Sequence, residues 1–121
     1  MKTVFEKIRD REIPKEFLYE DDEIMAFYDL HPIAPVHVLI VPKKLIVSIA
    51  EMDDEDVPVV GRMFRVARDI ARDLKISEKG YKLLFRVGRD GGQEAPHLHL
   101  HLLGGARLTE NIHPARGQDE S

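Results

Sequence analysis

The sequence predicts an α+β domain, in which five antiparallel strands form one sheet accompanied by two helices. One observation is that strand-like stretches follow one another with short turns between them, whereas helix-like patterns occur twice. Another is that histidine and leucine alternate strictly through residues 97–102, which places the two residue types on opposite faces of a strand. With 121 residues, the chain is expected to be a single domain that buries one core.

The first half of the chain is predicted to contain a short helix and three strands. Thr3 and Glu6 form a capping-box pattern, so the helix begins there and runs to about Arg9. Three stretches rich in aromatic and β-branched residues follow, separated by an acidic turn and a proline-containing loop. These predicted strands are residues 17–20, 24–29 and 36–41.

A longer helix is predicted in the second half, at about residues 55–74. Asp53 or Asp54 can cap it, and Pro58 falls in its first turn, where a missing N–H does least harm. Its apolar residues recur every three or four positions. They are Val57, Val60, Phe64, Ala67, Ala71 and Leu74.

Two further strands complete the predicted sheet. Residues 81–87 form the fourth, and the side chains on one of its faces are Leu83, Phe85 and Val87. The glycine-rich turn at residues 88–92 leads into the fifth strand, which carries the histidines. Pro96 has no N–H to donate to a sheet, so it is placed at the beginning of that strand.

Composition narrows the classes of protein to which the chain can belong. Apolar residues make up 43% and charged residues 33% of the sequence, and no apolar run approaches the length that spans a membrane. There is neither a signal-peptide pattern nor a cysteine, so we expect a cytoplasmic protein without thiol chemistry. The net charge of −4 argues against general nucleic-acid binding, although a pocket for one mononucleotide needs no basic surface.

The alternating histidines His97, His99 and His101 are the strongest functional feature of the sequence. Neighbouring imidazoles on that face would stand about 6.7 Å apart, and purely structural histidines would each need a buried polar partner. Two chemistries remain open at this point. The histidines could bind a metal ion such as zinc. Alternatively, they could provide nucleophilic and acid–base catalysis beside an anion held by the loop at residues 91–92.

A longer set of motifs, in matching order, resembles the histidine-triad nucleotide-binding family. The histidines are preceded by Gly91-Gly92-Gln93 and followed by Gly104-Gly105. The upstream matches are Ile13-Pro14, Tyr19-Glu20-Asp21-Asp22, Ala26-Phe27-Tyr28-Asp29, Pro32-x-Ala34-Pro35-x-His37 and Ile40-Val41-Pro42-Lys43-Lys44. The resemblance covers roughly residues 3–108, and the Gly-Gly after the third histidine points to the phosphoramidase branch.

This resemblance implies the same antiparallel fold, no cofactor, and hydrolysis of purine nucleoside phosphoramidates of the adenosine 5′-phosphoramidate or lysyl-AMP type. In such proteins the middle histidine, here His99, is the nucleophile, and water hydrolyses the nucleotidyl-histidine intermediate. The carbonyl of His97 would fix the tautomer of His99. His101 would donate a proton to the leaving amine, and His37 would join the imidazole network.

The resemblance also assigns the nucleotide-binding residues, and the expected ligands are AMP and GMP. Asp29 would accept both ribose hydroxyls, although an aspartate there also suits a turn. Apolar side chains that could equally be plain core would line the base pocket: Phe5, Ile8, Phe27 and Leu30, with Tyr28 beside them. The rim around the phosphate would be formed by Gly92, Gln93 and Glu94.

Two residues depart from the family pattern. Glu94 stands where animal members have serine, which favours a bacterial origin, and its carboxylate could favour a cationic amine leaving group. Arg86 stands where asparagine is usual and could pair with Glu94 or with the substrate phosphate. These departures leave open a nucleotide-binding or regulatory module with weak catalysis. A dinucleoside polyphosphate hydrolase is the other alternative.

An excess of apolar residues predicts a homodimer. Residues 81–87 are apolar on both faces, and the long helix carries more apolar residues than one stripe needs, including Val59, Met63 and Ile70. Two-fold pairing is the commonest arrangement, and the resemblance implies it, with the fourth strands of two chains meeting. The domain is assigned to residues 1–108, and a polar tail at residues 109–121 would lie near the partner's cleft.

Overall fold

The computed structural model describes residues 1–110 and 112–115. In these residues, two α-helices accompany one five-stranded sheet, whose strands are antiparallel to their neighbours in the order β1-β2-β3-β5-β4. The elements are α1 (Val4–Arg9), β1 (Tyr19–Glu20), β2 (Ile24–Tyr28), β3 (Val36–Pro42), α2 (Val57–Asp73), β4 (Lys82–Leu84) and β5 (Leu100–Gly104). Short 3₁₀ turns at Ile49–Glu51 and Asp54–Asp56 precede α2. The predicted fold class is therefore confirmed.

Helix α1 begins and ends where the sequence predicts. The Glu6 N–H donates to Thr3 Oγ1 at 3.0 Å, and the Thr3 N–H donates to the Glu6 carboxylate at 2.9 Å. This capping box satisfies donors that a helix start leaves free. Phe5 and Ile8 are the buried residues of α1 and join a core cluster on one face of the sheet.

Helix α2 starts two residues later than predicted, because residues 54–56 form a 3₁₀ turn. The Asp53 N–H donates to Asp56 Oδ2 at 3.0 Å and thereby closes that turn. Pro58 lies in the first turn of α2, as expected. Across the described part of the chain, no helix combines the length and the apolar character needed to cross a membrane.

The buried face of α2 differs from the predicted stripe. Val57 and Phe64 are exposed, although both belong to the apolar pattern. The side chains that α2 does bury are Val59, Val60, Met63, Val66, Ala67, Ile70 and Ala71. A helix that lies across a sheet covers a stripe wider than a strict repeat of three and four residues. The periodicity therefore predicted the helix, but it placed the centre of the buried face about one residue away.

Val59, Met63 and Ile70 belong to the core of this chain. Met63 is fully buried, and all three pack in the cluster that α2 forms with the sheet. The prediction that these residues provide a second surface for a partner is therefore wrong. The number of apolar residues on α2 reflects the width of its contact with its own sheet.

Strands β4 and β5 are shorter than predicted. β4 covers three residues of the predicted 81–87, and β5 begins at Leu100 rather than near Pro96. Before β5, the Leu98 N–H donates to the Ile46 carbonyl at 2.6 Å, and Ile46 lies outside the sheet. The first residues of the histidine segment, up to His99, therefore lie outside the sheet. As a result, the end of the predicted fourth strand has no strand to pair with.

The remaining strands lie close to the prediction. β2 and β3 each end within one residue of the expected position, and the Asp29 N–H still donates to the His37 carbonyl at 2.9 Å just beyond β2. β1 has two residues instead of four, although the Leu18 N–H also reaches the Ala26 carbonyl at 2.8 Å. These contacts hold Asp29 directly beside the start of β3.

The sheet separates two core clusters, and the histidines lie on the face opposite α2. Leu98, Leu100 and Leu102 are fully buried in the cluster that includes α2. On the other face, the aromatic ring of Phe5 contacts the rings of His97 and His99. The predicted alternation of faces through residues 97–102 is therefore present, even though the first half of the segment lies outside β5.

Candidate functional site

The structure brings together the four histidines that the sequence predicts as catalytic. His101 in β5 pairs with Leu39 of β3 on one side and with Leu84 of β4 on the other. The ring centroid of His101 lies 4.9 Å from that of His99 and 5.2 Å from that of His37. Of these residues, only His99 is partly accessible to solvent, while the other three are buried.

Both ring nitrogens of His97 are used to hold the site. Its Nε2 lies 2.8 Å from the Pro42 carbonyl, which can only accept, so Nε2 carries the proton and donates. Its Nδ1 lies 3.0 Å from Thr3 Oγ1 and therefore accepts from that hydroxyl. Because Thr3 also caps α1, His97 ties the start of the chain to the end of β3.

His99 has one committed nitrogen and one free nitrogen. Its Nδ1 donates to the His97 carbonyl at 2.7 Å, the contact that the sequence analysis expected for the middle histidine. With the proton on Nδ1, the lone pair of neutral His99 lies on Nε2. Within the described residues, Nε2 has no hydrogen-bond partner. The Phe5 ring, with its centroid 5.0 Å away, covers one side of the imidazole.

His37 connects the β2–β3 loop to His101. The Ile33 N–H donates to His37 Nδ1 at 3.2 Å, and His37 Nε2 lies 3.0 Å from His101 Nδ1. Asp29 adds a carboxylate here, since its Oδ2 lies 3.4 Å from His37 Nε2. The other Asp29 oxygen, Oδ1, accepts from the His31 N–H at 2.9 Å. Asp29 therefore stabilises its own turn and also faces the imidazole network.

Arg86 reaches the site from the segment after β4. Its guanidinium Nη1 lies 3.1 Å from His101 Nε2. Among the ion pairs of the described residues, there is none between Arg86 and Glu94, whose side chain is exposed. Of the two contacts that the sequence suggested for Arg86, the carboxylate contact is therefore absent, and the guanidinium instead contacts an imidazole.

Burial keeps the imidazoles neutral. Loss of solvent is the first cause that lowers the pKa values of His37, His97 and His99 below their ordinary range. The pKa of His101 falls to about 3, first through burial and then through the nearby His99, Arg86 and His37. A neutral imidazole has an unshared electron pair on one nitrogen, so the lowered pKa favours His99 as a nucleophile.

Gln93 holds the glycine-rich loop in place and does not point its amide at the cleft. Its Nε2 donates to the Val47 carbonyl at 2.7 Å and to the Ala95 carbonyl at 3.0 Å, while its Oε1 accepts from the Gly88 N–H. The backbone N–H groups of Gly92 and Gln93 are also used, donating to the carbonyls of Arg89 and Gly88. The backbone amides of Gly92 and Gln93 are therefore already engaged and are not free to bind an anion.

The predicted base-pocket residues divide into two groups. Phe5, Ile8 and Phe27 are buried in a cluster with Met25, Leu39 and Val41, so they contribute to the core whether or not they also contact a base. Tyr28 is 44% exposed and Leu30 is 75% exposed. These two side chains stand on either side of Asp29 and are free to contact a ligand.

The histidines suit acid–base chemistry better than metal binding. A zinc ion shared by the three alternating histidines would need a nitrogen from His97, and both are already used. The group of possible ligands in the described chain is Asp29, His37 and His101, whose donor atoms lie within 4.8 Å of one another. A metal-bound imidazole normally donates its second N–H to an acceptor. Here the second nitrogens face N–H donors of Ile33 and Arg86.

Sequence reasoning missed the residues that orient the histidines. The contacts of Thr3 with His97, and of Pro42 with His97, join positions 94 and 55 residues apart. Thr3 carried a signal only as a helix cap. The Ile33 amide carried none, because a backbone donor has no residue type that a pattern could identify.

Comparison with known proteins places these features in a family. A model described as the HIT domain matches residues 10–108. The purine nucleoside phosphoramidase of Escherichia coli (strain K12) is 46% identical over 106 residues, which cover 88% of this chain and 89% of that protein. An uncharacterized HIT-like protein of Buchnera aphidicola is 43% identical over 108 residues, which cover 89% of this chain and 96% of that protein.

Solved structures agree with this assignment. A HIT family hydrolase from Legionella pneumophila Philadelphia 1 superimposes with a TM-score of 0.88 at 42% identity, covering 93% of this chain and 100% of that one. A HIT family hydrolase from Clostridium thermocellum has a TM-score of 0.87 at 41% identity, and the match covers 92% of this chain and 96% of that one. The fold of this chain is therefore that of the HIT family hydrolases.

Proposed function

Because the chain belongs to the HIT domain family and is a nucleotide hydrolase of that family, we propose that it hydrolyses purine nucleoside phosphoramidates through a nucleotidyl-histidine intermediate. The substrates would be of the adenosine 5′-phosphoramidate or lysyl-AMP type, and the product would be AMP or GMP. The name of the Escherichia coli relative supports this substrate class. The observation that carries the mechanism is the free Nε2 of His99, fixed as the electron-pair donor by the His97 carbonyl.

The first chemical step is a displacement at phosphorus. His99 Nε2 attacks the α-phosphorus, a nitrogen–phosphorus bond forms, and the bond to the leaving group breaks with its electron pair on that group. The ring then carries a positive charge, which the hydrogen bond from Nδ1–H to the His97 carbonyl stabilises. The second step reverses the bonding: water attacks phosphorus, His99 leaves as a neutral ring, and one proton of the water is released.

A leaving amine needs a proton, and the surroundings of His101 do not favour this residue as the donor. The family resemblance implies that His101 donates it, which requires a charged imidazole at His101. Burial and the Arg86 guanidinium hold the pKa of His101 at about 3, so little of that form is present near neutral pH. His37 contacts the His101 ring and orients it, and the Asp29 carboxylate in turn contacts His37.

A direct assay tests the proposed function. The protein is incubated with an adenosine 5′-phosphoramidate, and the release of AMP and free amine is followed. Labelled substrate is then quenched in base, where the phosphorus–nitrogen bond survives, and the modified residue is mapped. Label on His99 is the expected result. Tight binding of AMP without turnover of any amine, acyl or polyphosphate derivative would instead favour a nucleotide-binding module.

Asp29→Ala is expected to weaken AMP binding by about 1–3 kcal/mol, because the ribose hydroxyls lose a charged acceptor. It should also remove the preference for AMP over deoxy-AMP, which titration calorimetry measures. Asp90→Ala is the matched control, since Asp90 is an exposed carboxylate that pairs with its neighbour Arg89. If the Asp29→Ala protein still prefers AMP over deoxy-AMP as strongly as the parent does, the Asp29 carboxylate does not bind the ribose. It would then only stabilise its turn and contact His37.

We also propose that the chain forms a homodimer through the β4 edge. β4 is the outer strand of the sheet, so one side of its backbone is unpaired in the described chain. The exposed ring of Phe64 packs against Phe85 just after β4, with centroids 5.8 Å apart, and extends an apolar surface there. At the start of the predicted tail, Thr109 and Glu110 contact Lys82. Its residues 111 and 116–121 lie outside the described residues.

Light scattering after size exclusion should give twice the chain mass of 13.9 kDa at micromolar concentration. Two-fold pairing of edge strands would satisfy the free backbone groups of β4 and cover the apolar surface next to it. A monomer of full activity would contradict both the dimer and any contribution of the tail to a partner's site.

A further inference from the structure

The hydrogen-bonded chain of Ile33, His37, His101 and Arg86 has one N–H donor more than it has contacts to accept it. Three contacts connect these four groups: Ile33 N to His37 Nδ1, His37 Nε2 to His101 Nδ1, and His101 Nε2 to Arg86 Nη1. The backbone amide and the guanidinium at the two ends can only donate. Each neutral imidazole between them adds one N–H. Four N–H groups therefore face three contacts.

No assignment of tautomers removes this excess. If His37 and His101 both carry the proton on Nε2, the first two contacts are satisfied and His101 faces Arg86 with two donors. If His101 carries its proton on Nδ1, the excess moves to His37. With the His37 proton on Nε2, two donors face each other between the imidazoles, and with it on Nδ1, two donors face each other at the Ile33 amide. Protonating either ring adds a further N–H. Asp29 Oδ2, at 3.4 Å, can relieve His37 in part, but it does not reach the Arg86 contact.

The contact between His101 and Arg86 is the one at which two N–H donors most readily face each other. The Ile33 amide is fixed by the backbone, and both imidazoles are buried, whereas Arg86 is partly exposed. Arg86 is therefore the group that can move. The favoured arrangement leaves a His101 Nε2–H and a guanidinium N–H converging on one point beside His99. That point needs an atom that only accepts hydrogen bonds.

We propose that one anionic oxygen of the substrate's phosphoryl group occupies this point, and that Arg86 thereby extends hydrolysis beyond phosphoramidates to nucleotides whose leaving group departs as a weakly basic oxyanion. This inference rests on the proposed nucleotidyl transfer to His99. A phosphoryl oxygen accepts from both donors at once and resolves the excess. Arg86 is a specificity-determining residue in this scheme, because it touches the phosphoryl group and also commits His101 to a neutral, donating state.

The selectivity follows from what each leaving group needs. A phenolate or phosphate leaves with its electron pair and needs no proton, and Arg86 stabilises the negative charge that develops around the phosphorus. An amine nitrogen must gain a proton as its bond to phosphorus breaks. With the His101 N–H committed to the phosphoryl oxygen, that proton comes from solvent water. The low pKa of His101 agrees with this state.

Two substrates that share adenosine and differ in the leaving group test the inference. One is adenosine 5′-(4-nitrophenyl phosphate), which loses a phenolate, and the other is an adenosine 5′-N-alkyl phosphoramidate, which loses an amine. In Arg86→Asn, kcat/KM for the phenyl ester should fall by about 10²-fold, and kcat/KM for the amide by about tenfold or less. The ratio of the two constants should therefore shift about tenfold towards the amine.

Arg86→Lys keeps the charge but loses the planar fork, so its ratio should lie between those of the parent and Arg86→Asn. Arg89→Asn is the matched control, because Arg89 is an exposed arginine of the same loop that pairs with Asp90. A pH profile gives a second readout. Removing the Arg86 cation raises the pKa values of His99 and His101, so the acidic limb of kcat/KM for the amide should move to higher pH.

The outcomes separate the inference from the proposed function. A shifted ratio together with a shifted acidic limb supports the role of Arg86. An equal fall for both substrates in the two Arg86 variants, with an unchanged pH profile, would overturn it and leave the hydrolase intact. If the parent hydrolyses neither substrate, the proposed function fails, and the inference built on it fails as well.

Discussion

Replacing His99 with alanine is expected to lower kcat/KM for an adenosine phosphoramidate by at least about 10⁴-fold. The reason is that Nε2 of His99 is the free imidazole nitrogen at the accessible end of the cluster, while its Nδ1 is fixed on the His97 carbonyl. The His101 and His37 nitrogens are engaged with each other and lie deeper in the structure. Initial-rate measurements with the purified variant give the result directly.

His31→Ala is the control for this substitution. His31 is a second histidine near the site, two residues after Asp29, but its ring is exposed and only its backbone N–H binds the Asp29 carboxylate. This variant should retain the parent's rate. After a base quench, nucleotide label should be found on the parent and on His31→Ala but not on His99→Ala. Turnover near the parent's rate by His99→Ala would show that another group attacks phosphorus.

The sequence predicted the arrangement of the site well where the information is local. Alternation of histidine and leucine requires no knowledge of the rest of the chain, and it correctly separated a core face from a histidine face. The cap of α1 is equally local, since Thr3 and Glu6 are three residues apart. Such signals survive folding because the geometry of a single strand or helix turn determines them.

What the sequence could not predict depends on distant contacts. The Leu98 N–H binds the Ile46 carbonyl, and β5 therefore begins later, at Leu100, than the alternation suggests. The tautomer of His97 depends on Thr3 and Pro42, which lie 94 and 55 positions before it in the chain. The sequence predicts Gln93 at the phosphate rim, but no local pattern reveals that its side-chain amide also binds the Val47 carbonyl and the Gly88 N–H.

The position of the glycine-rich loop leads to a second large expected effect, on Gly91. Gly91→Ala should destabilise the protein by about 1–3 kcal/mol and lower kcat/KM by about 10²-fold. A Cβ at this position would lie 2.4 Å from the Val87 carbonyl oxygen and 2.8 Å from the Val87 nitrogen. Both are backbone atoms, so the clash cannot be relieved by rotating a side chain, and the whole loop has to move.

Movement of this loop would displace the groups that face the phosphoryl oxygen. Val87 directly follows Arg86, and Gln93 closes the loop by accepting from the Gly88 N–H at 2.9 Å. Gly61→Ala is the matched control: nothing lies within 4 Å of its added Cβ, and alanine in a helix should raise stability by about 0.5–1 kcal/mol. Thermal unfolding and initial rates are measured on both variants. A Gly91→Ala protein that melts and turns over like the parent would show that the loop accommodates the methyl group without moving Arg86.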